Sequence, residues 1–262
     1  MKIQIASDLH LEMRPDYEPN PVTEFRPVPD RDVLVLAGDI GTHTNALQFV
    51  EDEARISPVI LIPGNHEYYS VHTRHETDYA WRQIVESMPS LHYLVAEGVT
   101  IDGVRFWGAP WYSDPLRLRG PGSLRLIAGS LNDFDPKYDD SGRWTVQRHL
   151  EEHALQTRLL REQAGWVDVV ITHWPPTLHA VAPGFKDDAL TGYFVNDNEE
   201  LVREIGAQAW ISGHVHDAYE AIVGDTQVVS NPTSYPMGAA DENGLFRPDR
   251  VIEIRPRRAA RS

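Results

Sequence analysis

The chain is predicted to fold as an α/β (α+β layered) protein, a two-sheet mixed β-sandwich flanked by helices. Three observations predict this. Short runs rich in Val and Ile recur along all 262 residues, helical patterns separate several of them, and the runs are apolar almost throughout. Strands interleaved with helices argue an α/β layering. Near-continuous apolar strands argue sheets covered on both faces.

In chain order the strand segments are "KIQIAS", "DVLVLAG", "PVILIPG", "VDVVITH", "QAWISGH", "TQVVSNP" and "RVIEIRP". Each combines β-branched residues with a turn-forming boundary. Helical spacing appears in "NALQFVEDEAR", "ETDYAWRQIVESM", "TVQRHLEEHALQTRLLREQAG" and "NDNEELVREIGA", the last with Asn196 or Asp197 placed as N-cap. The middle segment "LHYLVAEGVTIDGVRFWGAPWYS" predicts two or three antiparallel strands with a turn at Asp102-Gly103. From Asp114 to Gly142 the periodicity is weak, and Gly, Pro, Arg and Asp abound. A loop that long in a compact domain is usually functional or disordered, and the aromatics of "SLNDFDPKY" argue against full disorder.

Composition narrows the function. A hydrophobic fraction of 41% supports a substantial core. The formal net charge of −15 repels nucleic-acid backbones, so a polymeric nucleic-acid substrate is not expected. Part of that charge could be carboxylates committed to cations. The chain has no cysteine, which excludes disulfides, thiolate zinc sites and thiol nucleophiles. No run reaches the apolar length of a membrane span. The N-terminus opens into a strand pattern rather than a leader, so a cytoplasmic protein is expected. The basic tail "RPRRAARS" reads as a frayed end.

The chemistry gathers at strand ends. After the first strand come Asp8 and His10, after the second Asp39, and after the third Asn65, His66 and Glu67. Two later strands deliver His173, and His214 with His216. Ligands bind beyond the carboxyl ends of strands in open α/β sheets, and here that edge carries metal-ligand side chains. Imidazole with carboxylate suits Mn, Fe, Zn, Co or Ni. Two neighbouring cations need a shared anionic ligand, which a carboxylate can be. Preceding glycines allow the sharp turns. Alternate residues share a side in extended chain, so His214 and His216 are expected to face one cluster if the strand stays extended.

Together Asp8-x-His10, Gly38-Asp39, Gly64-Asn65-His66-Glu67, His173 and Gly213-His214-x-His216 resemble the motif set of the calcineurin-like metallophosphoesterases, over residues 8 to 216. The resemblance implies a two-sheet sandwich flanked by helices and two divalent or transition metal ions, manganese the first choice. One metal would be held by Asp8, His10, Asp39 and His216. The other would be held by Asp39, Asn65, His173 and His214, with Asp39 bridging. A bridging hydroxide would attack phosphorus in line with the ester bond. His66 would sit by the leaving oxygen as general acid, or would orient a ligand or water through a carboxylate.

Protein Ser/Thr phosphatases of the family carry "GDxVDRG" and "RGNHE", whose arginines grip phosphate. Here "GDIGTHTN" and "IPGNHEYY" lack both, which argues against a protein phosphatase. His43 reads as a solvated loop residue, and Trp174 as either a pocket wall or packing under Pro175-Pro176. "SNPTSYP" resembles a loop that frames the site, with Asn231 a candidate substrate contact. "SLNDFDPKY" resembles a segment of small bacterial phosphoesterases. Residues 113–143 are therefore expected to form a cap within a single domain, 1–262. In that cap Arg117, Arg119, Arg125 and Tyr138 would either meet an anionic substrate or form a solvated face. The expected activity is a phosphodiesterase acting on a small soluble substrate, nucleotide-like compounds included. A phosphomonoesterase, a nuclease and a non-catalytic metal-stabilised scaffold are the alternatives, and oligomeric state is left open.

Overall fold

Eleven strands form among the described residues of the computed structural model, which are 1–13, 25–134, 144–235 and 246–256. They are β1 (Lys2–Ala6), β2 (Val33–Ala37), β3 (Val59–Ile62), β4 (Leu91–Tyr93), β5 (Glu97–Ile101) and β6 (Val104–Ala109), then β7 (Val169–Thr172), β8 (Ala209–Ser212), β9 (Glu220–Val223), β10 (Thr226–Ser230) and β11 (Val251–Glu253). The first sheet has the order β11-β1-β2-β3-β4 and the second β5-β6-β7-β8-β10-β9. Parallel pairing dominates the centre of each, and antiparallel strands close the edges at β11, β5 and β9.

The apolar runs explain the layers. All five residues of β2 are buried. Val33, Val35 and Ala37 pack toward the other sheet, with Phe106, Ile171 and Ile211 in the same cluster. Leu34 and Leu36 point the opposite way, toward Phe49 and Val50 of α1 (Leu47–Ala54) and Trp81 of α2 (Arg74–Ser87). This is strand alternation with both faces covered. The outer face of the second sheet, with Trp107, Val170 and Trp210, meets Leu160 and the buried Leu201, Val202 and Ile205. The expected two-sheet sandwich flanked by helices is the fold observed.

Several elements differ from expectation. The "LHY" segment forms β4, which pairs parallel to β3 in the first sheet, so only β5 and β6 make the antiparallel hairpin. Its turn has Asp102 at φ 46 and Gly103 at φ 81, both left-handed as a two-residue type I′ turn requires. α2 begins earlier than "ETDYAW", because Thr73 accepts from Glu76 N–H and Glu76 accepts from Thr73 N–H in a capping box. Neither Asn196 nor Asp197 caps the helix that follows them. The Asn196 side chain accepts the Asp114 N–H at 2.9 Å instead, and the helix begins at Glu199.

The first part of the expected loop is helical. α3 (Pro115–Arg119) starts with an Asp114 cap and a proline in its first turn. α4 (Leu124–Ser130) and a 3-10 turn (Asn132–Phe134) follow. Such short helices carry no long apolar stripe. Ile127 and Phe134 anchor this segment in an aromatic cluster with Tyr112, Trp144, Trp174 and Tyr193. Tyr138 lies outside the described residues.

The next helix, α5 (Val146–Arg161), turns a polar seam of His149, His153, Gln156 and Thr157 inward between the buried Val146 and Leu160. Gln156 Oε1 accepts the Trp111 N–H at 2.7 Å, and Thr157 accepts the Trp111 indole N–H at 2.9 Å. His149 Nε2 accepts the Ser113 N–H at 3.1 Å, which burial permits by holding that imidazole neutral. The seam clamps the chain where it leaves β6 for the cap, with Trp111 at φ 50. α6 (Thr191–Phe194) and α7 (Glu199–Ile205) complete the set. Gln156→Leu should orphan the Trp111 N–H and cost about 1–3 kcal/mol in urea unfolding. A loss under about 0.5 kcal/mol, the scale of an ordinary surface substitution, would contradict the clamp.

Candidate metal centre

Five strand ends converge at one edge of the sandwich, three from the first sheet (β1, β2, β3) and two from the second (β7, β8). Convergence is not achieved by extended chain. Asp8, His10, Asp39 and His214 all have left-handed backbones, at φ 55, 46, 55 and 69. Strand alternation therefore does not aim His214 and His216 together, as the extended reading expected. They belong to different groups. Asp8, His10 and His216 form one, with ligand atoms within 4.8 Å of one another, and Asp39, His173 and His214 form another. A third group, His10, Asp39 and His66, joins them.

Backbone hydrogen bonds hold the left-handed turns. Both Asp8 carboxylate oxygens accept the His214 N–H, at 3.0 and 3.2 Å. Asp39 Oδ1 accepts the His66 N–H at 2.8 Å. Glu67, fully enclosed, accepts N–H bonds from Asp39 (3.0 Å), Ile40 (2.8 Å) and Gly64 (2.7 Å), so one carboxylate knots the β2 and β3 ends together. Close approach makes the adjoining glycine obligatory. A Cβ on Gly64 would lie 2.2 Å from Asp39 Oδ1 and 2.6 Å from His173 Nε2.

The donor set fits cations. His173 Nδ1 bonds to the Ala37 carbonyl at 2.8 Å, which directs Nε2 at Asp39 Oδ2 and Asn65 Oδ1, each 3.2 Å away. His10 Nε2 and His216 Nε2 face each other at 3.2 Å, and Asp8 Oδ1 lies 3.8 Å from the latter. His214 Nε2 is buried with no hydrogen-bond partner among the described residues. Burial, with the His173 charge adding to it, depresses His214 well below the usual imidazole range, and burial lowers His216 as well, leaving neutral rings with lone pairs to donate. Burial also opposes charge on His173 and His66, but Asp39 with Asp8 and the Ala37 carbonyl for His173, and Asp39 with Glu12 and Glu67 for His66, together outweigh it and raise each to about 9. These are lone pairs and negative charge gathered around common points, the condition a cation relieves.

Four residues escaped the reading of the sequence. Glu67 stood in a quoted motif without a role. Glu12 Oε1 lies 2.9 Å from His66 Nδ1 and 3.5 Å from His10 Nδ1. Burial works to raise the Glu12 carboxyl, but its bonds to the two histidines hold it at about 2. Tyr235 Oη is 3.1 Å from His66 Nε2, on the opposite edge of that ring. Tyr69 Oη accepts from Asn65 Nδ2 at 3.0 Å. Glu67 and Glu12 had local signals, the first as part of the Gly64-Asn65-His66-Glu67 motif and the second as an acid two residues beyond His10.

Other expected contacts lie elsewhere. Asn231 uses its amide on backbone, donating to the Ile5 and Arg247 carbonyls and accepting the Arg247 N–H, so it braces the loop. Arg117 bonds to Asp197 and Glu200, Arg119 bonds to Lys186, and Arg125 is exposed on α4. His43 stacks on His72 and bonds to Thr77. Trp174 is fully buried 4.4 Å from the His214 ring, packed and walling the site at once.

Fold and site together describe a phosphoesterase of the two-sheet metallohydrolase type. The chain belongs to the calcineurin-like phosphoesterase family, whose model matches residues 1–218. A protein of Acanthamoeba polyphaga mimivirus is 22% identical over 296 aligned residues, covering 96% of each chain. The phosphopantetheinyl hydrolase of Mycobacterium tuberculosis is 18% identical and superposes over 90% of each chain with a TM-score of 0.63. A dimetal phosphatase from Danio rerio is 16% identical, covering 88% of this chain and 86% of its own, with a TM-score of 0.52. Both likenesses are in fold.

Gly64→Ala provides the test of this packing. The added methyl group must displace Asp39 or His173, so manganese retained after desalting should drop by at least one equivalent relative to wild type. Full retention would show that the two side chains are not fixed where they stand.

Proposed function

We propose that the chain hydrolyses phosphate esters at a two-metal centre, and that its substrates are small soluble phosphodiesters, nucleotide-like compounds included. The observation that supports this best is the pairing of two donor groups, Asp8/His10/His216 and Asp39/His173/His214, at one sheet edge. Asp39 would be shared between them, and Asn65 Oδ1 would complete the second set. Bound cations supply Lewis acidity toward the phosphoryl oxygens and lower the pKa of a bound water. Nitrogen and oxygen donors without thiolate admit Mn, Fe, Zn, Co or Ni, and manganese is the first metal to load.

The protein's own groups do the rest. Glu12 holds His66 by Nδ1, so the ring presents Nε2, beside Tyr235, toward the site. From that atom His66 would donate a proton to the departing oxygen. Trp174, Tyr193 and Phe194 lie 4.4, 5.7 and 5.4 Å from the His214 ring and exclude water from that flank. A dianionic monoester calls for further positive charge, and Arg117 and Arg119 are bonded to other partners. A diester, with one negative charge, therefore fits better. No helix among the described residues is long and apolar enough to cross a membrane.

Manganese-loaded protein should hydrolyse bis-p-nitrophenyl phosphate well ahead of p-nitrophenyl phosphate. The reverse preference would reassign it as a phosphomonoesterase, and silence on both with metal bound would point to a scaffold. Asp39→Asn, which weakens both metal sets at once, should cut turnover by several orders of magnitude. Wild-type rates from that variant would defeat the shared role of Asp39.

A further inference from the structure

The "SLNDFDPKY" segment has no part in the chemistry so far, yet its Asp133 is 4% exposed and bonds to Tyr69 beside the centre. We propose that Asp133 is a positioning residue for the metal centre, fixing through Tyr69 which end of the Asn65 amide faces the cations. The inference rests on the two-metal reading above.

An asparagine can ligate a metal only through its carbonyl oxygen, because the amide nitrogen offers donors and no available lone pair. The orientation of that amide therefore decides whether Asn65 is a ligand or an obstacle. Its Nδ2 donates to Tyr69 Oη at 3.0 Å, and Oδ1 is left facing His173 Nε2 at 3.2 Å. Tyr69 Oη in turn lies 2.6 Å from Asp133 Oδ2. A phenol has one proton and a carboxylate only accepts. The proton goes to Asp133, so Tyr69 presents lone pairs to Asn65, and the polarity of the whole chain is set from the Asp133 end. With the carboxylate replaced, the Tyr69 proton can turn to Asn65 Oδ1, which brings the NH₂ group toward the metals.

Sequence distance makes the device a link between cap and site. Asp133 lies 64 residues beyond Tyr69, next to Phe134, which is anchored in the aromatic cluster around Tyr112 and Trp174. Asn65 is 6% exposed, so solvent is a poor substitute partner for its amide. Docking of the cap's 3-10 turn (Asn132–Phe134) thus completes a ligand on β3's far end.

Calorimetric titration of the metal-free full chain with Mn²⁺ tests this, using wild type, Tyr69→Phe, Asp133→Asn and the double variant, with urea unfolding alongside. Two sites are expected in wild type. Tyr69→Phe should weaken one of them about 10–100-fold and leave the other unchanged. Asp133→Asn should weaken the same site, and should add little in the Tyr69→Phe background because both act through one chain. Wild-type affinity at both sites in Tyr69→Phe, or fully additive losses, would overturn the proposal. If Asp133→Asn fails to fold, Tyr69→Phe alone decides. A wild type that binds no metal removes the two-metal reading and this inference together, whereas two intact sites in Tyr69→Phe remove this inference alone.

Discussion

Asp39 is surrounded by groups that either need its charge or compete for it. One carboxylate oxygen receives the His66 N–H and the other faces His173 Nε2 at 3.2 Å, while its own N–H is held by Glu67. Against the opposing effect of burial, its charge helps to raise both His66 and His173 to about 9. Much of the remaining architecture serves to keep this carboxylate at the junction of two sheets. β2 delivers it, Gly64 leaves room for it, and the Glu67 knot fixes its backbone.

That placement carries a conformational cost. Left-handed backbone at a non-glycine residue costs on the order of 1–3 kcal/mol, and four of the expected ligands adopt it. A sandwich buried on both faces of both sheets can sustain such strain, because the strands cannot shift to relieve it without opening the core. The loops themselves contribute hydrogen bonds rather than apolar contacts. The carboxylates of Asp8 and Glu67 bond to backbone N–H groups across strand ends, so the site is pre-organised by the residues that line it.

Much of this was legible in the sequence, for physical reasons. Strands covered on both faces must be apolar along their length, so β2, β3, β7 and β8 announce themselves, and the polar residues that follow these runs mark the functional edge. The same logic failed for β4, three residues long, whose partner is chosen by tertiary packing. Thr73 was readable from its capping box, but the apolar spacing of "ETDYAW" drew the helix start inward. The extended reading of His214 failed because only coordinates show a left-handed φ at a histidine. Tyr69 with Asp133 and Glu12 with His66 are pairings 64 and 54 residues apart, and no local pattern encodes them.

On the reading proposed, two cations sit in the donor groups Asp8/His10/His216 and Asp39/His173/His214, with Asp39 shared between them. Anomalous diffraction from a manganese-soaked crystal tests it most directly. Two peaks are predicted, one among Asp8, His10 and His216 and one among Asp39, His173 and His214, with Asn65 Oδ1 turned toward the second. A single peak among His10, Asp39 and His66, or no peak at all, would rule out the two-cation centre.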